Sequence, residues 1–148
     1  MRVVLQRVKH ASVTVDGNIT GKIDKGLLLL VGFKADDGIK EIEKLAKKCV
    51  ELRIFEDEAG KLNLGVKEVG GAILSVSQFT LYANCKKGRR PGFDRAMKAD
   101  EAKKHYELFN EALRKYEIDV ECGIFQADMK VELLNDGPVT IILDSDEM

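Results

Sequence analysis

The chain has 148 residues, 45% of them apolar and 33% charged, and carries a net charge of −1. This length fits one domain with a substantial core, and the near-neutral balance excludes bulk attraction to nucleic acid or to an anionic membrane, leaving such work to a local basic patch. Three cysteines (Cys49, Cys85 and Cys122), never in a CxxC pair, and only two histidines (His10 and His105) argue against a disulfide framework, a zinc site or a histidine metal cluster.

From the start of the chain, Arg2 to Lys9 and Ser12 to Val15 read as extended segments. Asp16-Gly17 is a strong hairpin signal, because glycine accepts the positive φ of a tight primed turn. Asn18 to Ile23 then returns as the partner strand. Leu27 to Phe33 is a continuous apolar run short enough for a strand buried on both faces. It is too short to span a bilayer, and the first residues lack the long apolar region of a signal peptide, so the expectation is a cytoplasmic protein. Asp36 or Asp37 is expected to cap a helix in which Ile39, Ile42, Ala46 and Cys49 share one face. Leu52 to Phe55 is a short strand candidate, and Glu56 to Lys61 an exposed polar turn.

Ala72 to Ala83 is the best strand candidate, rich in residue types that suit a pleated surface. A loop with four cations follows, Asn84-Cys85-Lys86-Lys87-Gly88-Arg89-Arg90-Pro91-Gly92. A second helix is expected over Asp100 to Tyr116. Strands are expected over Ile118 to Cys122 and Lys130 to Leu134, then, after a turn at Asn135-Asp136-Gly137, over Pro138 to Leu143. With no linker and no repeat, the pattern is one α+β domain, residues 1–148.

Three stretches are candidates for chemistry. In Ser77-Gln78-Phe79-Thr80-Leu81, hydrogen-bonding side chains stand where a plain core strand places aliphatics. One reading is an ester or amide site, with Thr80 or Ser77 as nucleophile or polariser and backbone N–H groups as an oxyanion hole. The plainer reading, stronger on composition alone, is a core strand whose hydroxyls bond nearby backbone. No histidine sits in the segment to act as a base. In Asp136-Gly137-Pro138-Val139-Thr140 the proline belongs on a sheet edge or at a bulge; it either starts the last strand or forms a rigid backbone fixture. The loop cations Lys86, Lys87, Arg89 and Arg90 are either a solvated surface or a phosphate-contacting patch. Phe125 and Met129 read most simply as core.

Together these motifs resemble the D-aminoacyl-tRNA deacylases. The resemblance runs nearly end to end, through Gln6-Arg7-Val8, Ala11 to Val15, Gly26 to Gly32 and Leu52-Arg53-Ile54-Phe55. It is most specific at Ser77 to Ala83, Gly88-Arg89-Arg90-Pro91 and Asn135 to Thr140. It implies an antiparallel, barrel-like sheet with two main helices, no cofactor and no metal. It also implies a homodimer that hydrolyses the ester of D-aminoacyl-tRNA, and of glycyl-tRNA, which has no side chain to exclude. Ser77, Gln78, Phe79 and Thr80 would form the catalytic strand. Gly137 and Pro138 of the other subunit, joined by a cis bond, would turn backbone carbonyls into the pocket to reject L-amino acids. Phe125 and Met129 would line the pocket beside the terminal adenosine of tRNA. Three positions depart from the family pattern: Gln126 stands where glycine is expected, Asn84 where aspartate is, and Gly92 where serine is common. The alternative reading is a non-catalytic tRNA- or nucleotide-binding module using the basic loop.

Overall fold

Both residues of the Asp16-Gly17 turn have positive φ, 49° and 79°, as a primed hairpin turn requires. In this computed structural model, which describes Met1 to Met148, the turn folds strand β1 (Arg2–Val15) back on β2 (Asn18–Ile23). The two extended segments expected before the turn are one strand. From Arg2 to Val8, β1 pairs antiparallel with β3 (Gly26–Gly32), and along its other edge with β8 (Lys130–Asp144). Strand β6 (Ala72–Ser77) lies parallel to β3, and β7 (Val120–Cys122) lies parallel to β6. The sheet then curls until β2 meets β7: a Cβ on Gly21 would lie 2.8 Å from the Cys122 carbonyl oxygen. The result is a nearly closed, barrel-like sheet. Strands β4 (Phe55–Glu56) and β5 (Leu62–Leu64) form a small separate ribbon.

The apolar run of β3 is explained by burial on both faces. Leu27, Leu29 and Val31 join Ile73 against helices α1 (Ile39–Glu51) and α2 (Ala99–Arg114). Leu28 faces the other way, with Val8, Val13, Leu74 and Val76. Each such buried side chain contributes about 1.5–3 kcal/mol, so the β3–β6 pair is the stable frame that carries the rest.

Four local expectations are corrected. Helix α1 is not capped by Asp36 or Asp37; it starts at Gly38, whose N–H is taken at 2.8 Å by the Glu41 carboxylate. That backbone bond holds the Glu41 carboxyl below its usual range. Asp37 is engaged elsewhere, accepting from the Lys34 N–H and pairing with the Met1 ammonium, each at 2.7 Å. Of Leu52 to Phe55 only Phe55 is in a strand.

The third correction concerns Ala72 to Ala83. The strand ends at Ser77, and Phe79–Tyr82 is a 3₁₀ turn. The reason is its partner. Strand β3 ends at Gly32, and Gln78 N–H makes the last bond to it, on the Val31 carbonyl at 2.7 Å. The Phe33 carbonyl is taken by Met97 N–H instead. With no ladder left, the chain closes on itself through Leu81 N–H to Gln78 and Ala83 N–H to Thr80. The polar section therefore marks the junction of strand and turn rather than the middle of a strand.

Strand β8 is continuous where a turn at Asn135-Asp136-Gly137 was expected, but its register is not. Val8 opposes Asn135 while Gln6 opposes Thr140, so residues 136–139 swell out of the sheet as a bulge. The Gly137-Pro138 bond at its tip is cis, and the proline's missing donor falls where no ladder bond is needed.

Candidate active site

A cavity of about 720 Å³ opens where β6 runs into the 3₁₀ turn. The first turn of α2 and the segment 125–131 form its other walls. Ser77, Gln78 and Phe79 line it together with Phe125 and Met129, so these five sequence candidates share one site. Most of the lining is apolar, as in small-molecule sites where a few polar groups fix orientation. Phe79 is 58% exposed and leans on Phe93, ring centres 4.9 Å apart, at the mouth.

The polar equipment comes from the turn. Its first closing bond is from Leu81 N–H to the Gln78 carbonyl, so the N–H groups of Phe79 and Thr80 precede it and have no acceptor within the turn. Two adjacent amides of this kind suit a developing oxyanion. Gln78 Nε2 donates to Thr80 Oγ1, and Thr80 itself is exposed on the turn, outside the cavity lining. The turn is held from behind. Arg2 donates to the Leu81 carbonyl at 2.9 Å, and its guanidinium lies 4.6 Å from the centre of the buried Tyr82 ring. Burial pushes the Tyr82 hydroxyl far up.

The opposite wall is also fixed from within the core. Tyr106 donates to the Ser75 carbonyl at 2.6 Å and lies 6.0 Å, ring to ring, from Phe125. Burial pushes the Tyr106 hydroxyl up to about 12. Gly123 has no side chain where Met129 packs; a Cβ there would stand 2.5 Å from the Met129 sulfur.

Gly137 and Pro138 do not line this cavity. They are exposed at the tip of the β8 bulge. The bulge is clamped by a residue the sequence reading did not single out. Arg7, buried at 7% exposure, donates Nε to the Asp136 carbonyl at 2.9 Å and Nη1 to the Ile54 carbonyl at 2.7 Å. Asn135 adds a second brace, accepting from Val139 N–H and donating to Thr140 Oγ1, both at 2.9 Å. A signal for Arg7 was present: Val3, Leu5 and Arg7 alternate along one buried face of β1, and a charge on such a face must be satisfied by specific partners.

The basic loop is a small hairpin closed by Asn84 and Gly92, with N–H to carbonyl bonds of 2.7 and 2.8 Å. Lys86, Lys87, Arg89 and Arg90 are all exposed, and none pairs with a carboxylate within 4.0 Å. The histidines are elsewhere. His10 is exposed on β1, and the His105 ring nitrogens sit 2.9 and 3.1 Å from the carbonyls of Glu101 and Asp37. No three of the His, Cys, Asp and Glu side chains converge as a metal-holding group.

Known proteins resemble the chain over nearly its whole length. The model of the D-Tyr-tRNA(Tyr) deacylase family matches residues 4–144. A D-aminoacyl-tRNA deacylase of a Geobacillus species is 59% identical over 147 residues, covering 99% of this chain and 97% of its own. One from Lactobacillus delbrueckii is 58% identical over 144 residues, covering 97% and 99%. Among solved structures, one titled as a c-Myc DNA unwinding element binding protein superposes with a TM-score of 0.92 at 44% identity, over 98% of this chain and 99% of that one. A structure described as a probable eukaryotic D-amino acid tRNA deacylase shares the fold, with a TM-score of 0.81 at 18% identity, over 96% and 97%.

Proposed function

The chain belongs to the D-Tyr-tRNA(Tyr) deacylase family and is a hydrolase of D-aminoacyl-tRNA; on that premise we propose that the cavity beneath the Phe79 and Thr80 amides is where the ester is cleaved. The observation that carries this is an apolar cavity lined by Ser77, Gln78 and Phe79, at the start of a turn whose first two amides have no acceptor within it. Water attacks the ester carbonyl carbon, and the carbonyl oxygen gains negative charge facing the two amides. One such donor contributes about 2.7–4 kcal/mol in other enzymes. The carbon–oxygen bond to the ribose then breaks, a proton passes to the ribose oxygen, and free tRNA and D-amino acid leave.

No side-chain base faces the cavity from a histidine. An aminoacyl ester is already activated, so holding it beside a water supplies much of what is needed. The neighbouring ribose hydroxyl of the substrate assists that water in this reading, and Thr80 orients rather than attacks. Thr80→Val is accordingly expected to keep hydrolysis within about tenfold of the parent, the scale of one lost hydrogen bond. Complete loss with tRNA binding intact would instead make Thr80 a direct participant.

The second wall of the site comes, in this proposal, from a second copy of the chain. Strand β8 pairs only with β1, and it exposes Leu134 at 48% and Ile142 at 68%; an open, apolar strand edge is a surface that a partner covers. The Gly137-Pro138 bulge of one copy would then reach the cavity of the other. Backbone carbonyls there reject an L-side chain by overlap, while many D-amino acids, and glycine, pass. The decisive experiment measures hydrolysis of D- and L-aminoacyl-tRNA with a chelator present. D-specific cleavage is expected, and comparable cleavage of both enantiomers defeats the filter.

The basic loop serves in this account as a phosphate contact, and the protein works in the cytoplasm; no helix is long and apolar enough to cross a membrane. Replacing Lys86, Lys87, Arg89 and Arg90 by alanine should raise KM, leave kcat unchanged and flatten the dependence of log KM on log salt. Each phosphate contact removed lowers that slope by roughly one. An unaltered slope would return the loop to an ordinary solvated surface. A second reading, a binding module that performs no chemistry, rests on the loop alone and is separated by the same deacylation assay.

A further inference from the structure

The 3₁₀ turn Phe79–Tyr82 is short, and its two closing hydrogen bonds hold it loosely, because 3₁₀ bond geometry is poorer than that of an α-helix. Where its amides point is therefore decided by what grips the turn from outside. Phe79 and Thr80 are exposed and Leu81 is half-buried. Tyr82 is the one buried residue of the four, at 1% exposure. The turn hangs on that side chain.

Two guanidinium groups lie over the Tyr82 ring, that of Arg2 at 4.6 Å from the ring centre and that of Arg95 at 5.5 Å. The negative face of an aromatic ring attracts such cations. The two arrive from different parts of the fold. Arg2, on β1, is fixed by Asp144 at 2.7 Å and also donates to the Leu81 carbonyl at 2.9 Å. Arg95 lies between Phe93 and Ala96, which line the cavity together with Phe79. Its segment is pinned past the end of β3 by Ala35 N–H on the Arg95 carbonyl at 3.2 Å and by Met97 N–H on the Phe33 carbonyl at 3.0 Å. The Arg95 side chain is exposed and pairs with no carboxylate within 4.0 Å. The Tyr82 hydroxyl, by contrast, is buried with no hydrogen-bond partner. A buried hydroxyl of that kind lowers stability, so the surroundings use the ring and not the hydroxyl.

We infer that Tyr82 is a positioning residue for ester cleavage: its ring, under the Arg2 and Arg95 guanidinium groups, ties the Phe79 and Thr80 amides to the 93–97 wall of the cavity. This rests on those amides being the oxyanion site.

The test is hydrolysis of a D-aminoacyl-tRNA by the full-length protein, with kcat and KM resolved. Tyr82→Leu should lose about tenfold or more in kcat with KM unchanged, since a displacement of about 1 Å costs up to about a hundredfold. Tyr82→Phe, which keeps the ring, should recover kcat to within about twofold of the parent and melt no lower than it. Arg95→Gln should lose about threefold in kcat, the scale of one exposed cation–π contact, with melting within about 3 °C of the parent and an unchanged salt dependence of KM. Combined with Tyr82→Leu it should cost nothing further, because both act through one ring. A further threefold loss in the double variant overturns the inference, as does an Arg95→Gln effect confined to KM and its salt slope, which would place Arg95 on the tRNA. Failure of Tyr82→Phe to recover the rate also overturns it, by giving the role to the hydroxyl. Should Tyr82→Leu not fold, Arg95→Gln decides alone, and full kcat there defeats the proposal. Gly32→Ala is the control for the amides, because its added Cβ would lie 2.9 Å from the Gln78 carbonyl oxygen and so displace the turn through its first end. Full kcat in Gly32→Ala removes the turn amides and this inference together. Loss there beside full kcat in Tyr82→Leu removes the inference alone.

Discussion

Arg7→Leu should melt about 10 °C lower than the parent and lose most of its preference for D- over L-aminoacyl-tRNA. The stability loss follows from what the guanidinium holds. It satisfies the buried carbonyl of Ile54 and the part-buried carbonyl of Asp136, and a buried carbonyl left unpaired costs about 1–3 kcal/mol. Together the two amount to about 3–4 kcal/mol, and one kcal/mol shifts the melting temperature by about 2–4 °C in a chain of this size. The functional loss follows from position. Asp136 is the residue before Gly137, so the same bond that stabilises the protein fixes where the bulge points. The ratio of kcat/KM for the two enantiomers is the informative readout, because any unfolded fraction cancels in it. A fall of at least about tenfold in that ratio is expected, since a misplacement of 1 Å costs up to about a hundredfold in rate. Arg7→Lys should recover only part of it, because an ammonium cannot reproduce the fork that reaches both carbonyls. A variant with unchanged melting and unchanged discrimination would show that the clamp has no bearing on the choice between enantiomers.

Gly32→Ala attacks the other wall. Gly32 is the last residue of β3, and an added Cβ would lie 2.9 Å from the Gln78 carbonyl oxygen and 3.0 Å from the Leu81 side chain. The carbonyl is main chain and cannot swing aside, so the whole 3₁₀ turn must move. A loss of kcat of about a hundredfold is expected, for a displacement on the order of 1 Å, with a stability cost of only about 1–3 kcal/mol. Thermal melting and single-turnover hydrolysis, measured together, check both halves. A variant that melts well below this range without losing kcat, or one that keeps full activity, would remove the turn amides from the mechanism.

Much of this site can be read from the residues. Asp16-Gly17, the apolar run of β3 and the helical spacing of Ile42, Ala46 and Cys49 each act through local chemistry, and local chemistry is what a sequence displays. The stretch from Ser77 to Leu81 stands out because polar side chains interrupt an apolar strand. The reason they do so is not local. The strand ends where β3 offers it no further carbonyl, a fact about a partner 46 residues earlier in the chain. The role of Arg7 is equally non-local, joining residues 47 and 129 positions away. The turn amides were legible as chemistry but not as geometry: a 3₁₀ turn and a strand end can be written with the same residue types. Gln126 was legible only as a departure from a pattern, and its positive φ gives that departure a physical meaning.

The slipped register of β8 has a consequence for how the site can vary. Between Gln6↔Thr140 and Val8↔Asn135, two residue steps on β1 oppose five on β8. The surplus of three is odd, so the two halves of β8 serve different clusters: Ile141 and Leu143 the one packed against the helices, Val131 and Leu133 the one around Leu28 and Leu74. A strand alternates with period two, so removing or adding a single residue within 136–139 would turn one half of β8 inside out. Leu143 would be traded for Ile142 in the core. The loop that carries Gly137 and Pro138 is therefore quantised in length. It can lengthen or shorten only in pairs, so its reach has discrete settings although its sequence is free to drift.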